Sequence, residues 1–189
     1  MKSTLLIFIL FTGIYKLTAQ DYRIHFIQDG KEVPVLNEKV QLLKKPFQIQ
    51  VELLKVDGIY GACSFSDSLF QVPVNQSLPE PDLIQWKIAV EPENNADKDM
   101  IVSKESYFYW FFNPKEDTWH RFDPDPIVEK GRVIGTKTIE SFFVSENLNS
   151  ENRSILISEM KQPLYLIFFL MDKKNELDLQ RMRIEVNWK

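Results

Sequence analysis

Several groups of residues have types and spacings that could do chemistry. His120 opens the sequence His120-Arg-Phe-Asp123-Pro-Asp125, a His-x-x-Asp-x-Asp spacing, with Glu116 and Asp117 just upstream. Zinc takes histidine nitrogen together with carboxylate oxygen, and harder cations collect several oxygens. On a strand, however, His120 and Asp123 fall on opposite faces, and the spacing matches no metal-binding pattern. The Asp-Pro pairs read instead as the end of a strand. The acidic run Glu91-Pro-Glu93-Asn-Asn-Ala-Asp97-Lys-Asp99 carries enough carboxylate for calcium but lacks the glycine of a helix-flanked calcium loop. It reads as a solvated turn. No metal site and no cofactor are expected.

Nucleophilic catalysis finds even less support. Cys63 is the only cysteine, and neither His25 nor His120 stands with it in a recognisable signature. A lone cysteine on a strand is usually a small buried apolar residue. No serine occupies a Gly-x-Ser-x-Gly elbow. Two carboxyls could hydrolyse a glycoside, but 27 acidic residues give no means of selecting a pair. No catalytic residue is assigned.

Aromatic residues supply the best candidate surface. Tyr107–Phe112 is a run of six, followed by the turn-forming Asn113-Pro-Lys-Glu-Asp117 and then Thr118-Trp-His-Arg-Phe122. That order predicts a hairpin. Alternation puts Tyr107, Tyr109 and Phe111 on one face, and Phe108, Trp110 and Phe112 on the other. Core packing accounts for such a hairpin first, because aromatics favour strands and bury large areas. Any face left exposed would need a function. Tyr107, Tyr109, Trp110, Trp119 and His120 are therefore the candidate ligand-binding residues, suited to stacking on a carbohydrate or meeting a protein partner.

The elements that must position these residues are strands. In Phe47–Leu53 the apolar Phe47, Ile49, Val51 and Leu53 alternate with Gln48, Gln50 and Glu52. Ile84–Val90 and Met182–Trp188 repeat the pattern, each with one buried and one wet face. Leu164–Met171 is apolar on both faces and suits a central strand. Further strands are predicted at Tyr22–Gln28, turning at Asp29-Gly30 into Glu32–Leu36, and at Ile59–Phe65, Ile127–Ile134 and Ile139–Val144. Asn37–Lys45, stopped by Pro46, is the single helix expected. Ser66–Asp82, Glu91–Asp99 and Ser145–Asn152 read as loops. The expected fold is all-β, an antiparallel two-sheet β-sandwich of Ig-like or jelly-roll-like kind with at most one short helix.

Residues 1–20 stand apart. Lys2, an apolar stretch from Leu5 to Tyr15 and the small residues of Leu17-Thr-Ala-Gln20 have the layout of a secretory signal peptide. The apolar stretch is shorter than the roughly 20 residues of a spanning helix. Residues 21–189 then form a single domain, with no transmembrane segment after cleavage. Losing the leader removes two lysines and no acid, so the net charge of −4 becomes −6. An acidic chain without basic clusters excludes nucleic acid as partner. One cysteine excludes an internal disulfide framework.

The sequence thus predicts an exported, periplasmic or extracellular protein that is non-catalytic and binds a ligand, carbohydrate among the options, or a protein partner. A carboxylate-dependent glycoside hydrolase and a structural or assembly component of the cell envelope are the alternatives.

Overall fold

Alternating burial organises the chain from its first described residues. The computed structural model describes residues 21–56, 58–73, 76, 99–103, 108–112, 127–145, 153–170 and 181–189. Strand β1, Tyr22–Gln28, buries Tyr22, Ile24, Phe26 and Gln28 and wets the residues between them. It turns at Asp29-Gly30 into β2, Lys31–Val33, with Gln28 opposite Lys31. Both turn residues have positive φ, 54° and 71°. That is the backbone of the two-residue turn whose twist matches a hairpin, and Asp-Gly is its strongest sequence signal.

The same device recurs twice without the same signal. Asn37 and Glu38 have φ of 51° and 62°, and the turn is closed by paired backbone hydrogen bonds between Leu36 and Lys39. The following residues form β3, Lys39–Leu42, which buries Val40 and Leu42 and exposes Lys39 and Gln41. The predicted helix over 37–45 is therefore a turn and a strand: the left-handed pair blocks helix initiation, and burial repeats every second residue. Further on, Ile127–Ile134 divides into β8, Ile127–Glu129, and the start of β9, Arg132–Ile139. Lys130 and Gly131, at φ 49° and 80°, make the turn between them.

A five-stranded antiparallel sheet runs in the order β2-β1-β4-β9-β8, where β4 is Phe47–Leu53. A larger sheet contains β5 (Ile59–Ser64), β6 (Asp99–Ser103), β7 (Phe108–Phe112), β10 (Ser141–Ser145), β11 (Arg153–Leu156), β12 (Leu164–Leu170) and β13 (Met182–Trp188), together with β3. Its order is β11-β10-β6-β5-β12-β13-β3, and β7 also pairs with β5. The fold is all-β as predicted, but not every pairing is antiparallel. β3 lies parallel to β13, and β6 lies parallel to both β10 and β5. Glu140 alone separates β9 from β10, so the chain changes sheets in one residue.

One hydrophobic cluster draws on both sheets. It takes Tyr22, Ile24 and Phe26 of β1 and Phe47, Ile49, Val51 and Leu53 of β4. From the larger sheet come Leu164, Leu166 and Phe168 of β12, and Ile184 and Val186 of β13. Burying a side chain of this size contributes roughly 1.5–3 kcal/mol. Rings run through the cluster in sequence: Phe26 meets Phe47 at 6.3 Å, Phe47 meets Trp188 at 6.0 Å, Trp188 meets Phe142 at 5.9 Å and Phe142 meets Phe65 at 5.7 Å. The buried Tyr22 hydroxyl donates to the Phe168 carbonyl at 3.0 Å, tying β1 to β12. Lys137, opposite Ile49 on β9, is buried at 2% exposure and is not without a partner.

The far face of β12 is covered too, as its two-sided apolar sequence predicts. A four-residue helical turn, α1 (Ser68–Gln71), places Phe70 edge-on to Tyr165 at 5.1 Å. Arg183 donates to the carbonyls of Phe70 and Val72 at 3.1 and 2.6 Å, and Arg181 to that of Pro73 at 3.2 Å. Guanidinium groups thus satisfy the carbonyls left over as the turn ends. The face of β13 expected to be wet is covered by chain.

Two outcomes follow from these elements. Glu38→Gly should stabilise the protein by about 1 kcal/mol in urea unfolding, because a left-handed non-glycine residue costs roughly 1–2 kcal/mol, whereas Gly131→Ala should lose about as much. Glu185 supplies a pH dependence. Hydrogen bonds from Lys39, at 2.9 Å, and then from Asn187 hold its carboxyl below the ordinary 4.5. A lowered folded value means the contribution is present above about pH 4.5 and fades as pH falls through the folded value. Glu185→Gln should be less stable than the native chain near neutrality, and the gap should close on acidification; a gap constant down to about pH 3 contradicts the assignment.

Candidate ligand-binding cleft

The polar residues of the five-stranded sheet share the face opposite the core. Strand register sets them in rows: Arg23 beside Glu52 beside Ile134, His25 beside Gln50 beside Thr136, and Ile27 beside Gln48 beside Thr138. Side chains are linked across the strands. Gln48 Nε2 donates to Thr138 Oγ1 at 3.3 Å, and Gln50 Nε2 reaches Thr136 Oγ1 at 3.5 Å. His25 Nδ1 lies 2.8 Å from Glu32 Oε1 on β2. Glu52 is buried between two arginines, accepting from Arg23 at 3.2 Å and from Arg132, which also reaches Glu129 at 3.3 Å. Hydrogen bonds to Glu129 and Glu52 raise the Arg132 pKa further above its already high value. Glu52 is thereby committed to structure.

One end of this face opens into a cleft of about 350 Å³, lined by Ile27, Gln28, Asp29, Gly30, Pro46, Phe47, Gln48 and Thr138. Its wall is built by Gln28, a buried amide that holds the β3–β4 connection. Nε2 donates to the carbonyls of Leu43, Lys45 and Pro46 at 3.1, 3.0 and 3.3 Å, and Oε1 accepts from the Leu43 amide at 2.8 Å. The mouth is formed by the Asp29-Gly30 turn. Asp29, the one charged residue of the lining, carries an ion pair to Lys45, which balances its charge. Gly30 serves the turn's positive φ and not a close approach, since a Cβ there would meet nothing within 4 Å.

Of the residues the sequence nominated, Tyr109 and Trp110 lie in β7, with Tyr109 opposite Ala62 and Trp110 opposite Gly61. Their strand is thus paired to β5 in the larger sheet, on the far side of β5 from β12. Tyr107, Trp119 and His120 lie outside the described residues, as do Glu116, Asp117, Asp123, Asp125 and the run from Glu91 to Asp97. Cys63 is buried in the core, the structural role expected for it. Among the described residues no three of His, Cys, Asp and Glu converge on a point.

Sequence reasoning passed over Gln28, Gln48 and Thr138. Alternation marks Gln48 as outward and Asp29-Gly30 as a turn. Bringing the start of β4, the end of β9 and the β1–β2 turn together depends on register, which no local signal carries. No protein-family model matches the chain, and no curated protein or solved structure does so either.

Gln28→Ala should cost about 2 kcal/mol by removing the side-chain partner of the Leu43 amide and of the Lys45 and Pro46 carbonyls, while the Leu43 carbonyl keeps its bond from the Lys45 amide. In hydrogen exchange the Leu43 amide should lose protection by on the order of tenfold, while the β12 amides keep theirs. Unchanged Leu43 exchange would refute this account of the wall.

Proposed function

We propose that this is an exported, non-catalytic protein of the periplasm or cell envelope, in which the two sheets form a sandwich and a glycan or protein partner is bound. The outer face of the five-stranded sheet carries this reading. Amides, a hydroxyl-bearing edge, an imidazole and guanidinium–carboxylate pairs sit there in fixed rows. Groups held by cross-strand bonds lose little further freedom on binding, which improves affinity for a polar ligand. The signal-like residues 1–20 support export, and the acidic balance beyond them disfavours nucleic acid and anionic membrane.

A second reading, assembly with another chain of the envelope, is supported by β8. All three of its residues are exposed, Ile127 and Val128 among them, and among the described residues it is an end strand of its sheet. An end strand with exposed apolar side chains invites pairing with another strand. The hydrolase alternative has less support. Glu52 is clamped by arginines, and Glu185 is held ionised by Lys39, the reverse of a proton donor.

A glycan array tests the first reading, with purified protein beside Gln50→Ala, Trp110→Ala and Trp119→Ala variants. Selective binding weakened at least about tenfold, roughly 1.4 kcal/mol, by one of these changes is the expected result. Silence on the array, together with an oligomer in light scattering that Val128→Lys dissociates, would favour assembly instead.

A further inference from the structure

The cleft at the β1–β2 turn joins a defined volume to convergent polar groups. We infer that this cleft binds one neutral, hydroxyl-rich ring, the terminal hexose of a glycan being the ligand class that fits. The inference deepens the binding role proposed above and rests on it.

Size comes first. About 350 Å³ lies near the lower end of ligand clefts, enough for roughly one or two sugar rings and too little for a folded partner. Polar groups come next. A sugar hydroxyl both donates and accepts, so it prefers a site that alternates the two functions. Here the Asp29 carboxylate accepts, the Lys45 ammonium paired with it stands beside the lining as a donor, and Gln48 keeps its carbonyl oxygen while its NH₂ is directed to Thr138. Ile27 and Pro46 add apolar surface for the ring's C–H groups.

Charge selects against ions. Asp29 and Lys45 cancel, so neither a uronate nor an amino sugar meets a net field at the mouth. Both partners are largely exposed, and such a pair contributes only about 0–1 kcal/mol. A ligand can therefore take over these two groups at little cost. An extended peptide fits less well: β1 is already hydrogen-bonded to β2 on one side and β4 on the other, leaving no backbone row to extend.

Binding is read by amide chemical shifts of the ¹⁵N-labelled protein titrated with methyl glucoside, methyl galactoside and methyl mannoside, and with glucuronate and glucosamine. The expected result is saturable shifts at Asp29, Gly30, Gln48 and Thr138 for at least one neutral glycoside, and weaker binding of both charged sugars. Gln48→Ala and Thr138→Val should each reduce affinity by about tenfold while leaving the β12 amides unmoved. Asp29→Asn keeps a residue that tolerates positive φ and removes the carboxylate; it should weaken binding without unfolding the turn. Saturable shifts confined to the β7 strand would overturn the cleft and leave the protein a glycan binder. No saturable shift with any of the five sugars, with the glycan array silent, would overturn both.

Discussion

The contact between Phe47 and Trp188 is the one on which most else depends. Phe47 begins β4, the middle strand of the smaller sheet, and Trp188 ends β13, which lies inside the larger one. Through Phe26 on one side, and Phe142 and Phe65 on the other, rings form an unbroken path between the sheets. The indole nitrogen donates to the Gln162 carbonyl at 2.9 Å, so the ring's polar edge is satisfied while its faces pack. With one cysteine in the whole chain, no covalent staple can substitute for this packing. The cleft depends on it as well, since Phe47 forms part of its floor.

Several long polar side chains among the described residues satisfy main-chain groups that packing takes out of water. Gln28 satisfies a connection that would otherwise bring unpaired carbonyls close to the core, and Arg181 and Arg183 do the same for the segment over β12. In each case one long side chain reaches main-chain atoms remote in sequence. An unsatisfied buried carbonyl or amide costs about 1–3 kcal/mol, so these contacts are worth more as prevention than as attraction. The Gln48–Thr138 and Gln50–Thr136 pairs of the outward rows differ, because these side chains are only partly buried and can exchange partners.

How much of this was legible beforehand depends on whether the cause is local. β1, β4 and β13 could be placed within a residue or so because alternation is written into each segment, and β12 because its run is apolar on both faces. The Asp29-Gly30 turn was equally plain. Asn37-Glu38 and Lys130-Gly131 adopt the same conformation with residues that announce it less clearly, and there the sequence predicts a helix where a turn and strand form and one strand where a hairpin forms. Parallel pairing was invisible, since alternation is the same in either direction. The cleft was invisible for a related reason: its residues come from β1, β4 and β9, and only the pairing of Gln48 with Thr138 brings them together.

The parallel pairing of β3 with β13 has a consequence for how the chain comes into being. Lys39 is made well before its partner Glu185, which lies far later in the same chain. Until then Val40 and Leu42 have no strand of their own sheet to lie against among those described, so this part of the larger sheet closes only after the intervening chain has been made. Such a late, long-range closure makes folding slow and keeps the nascent chain loose. Looseness of that kind is a hazard in a crowded cytosol, yet it is the state a polypeptide needs if it is to be threaded through a narrow channel before it settles.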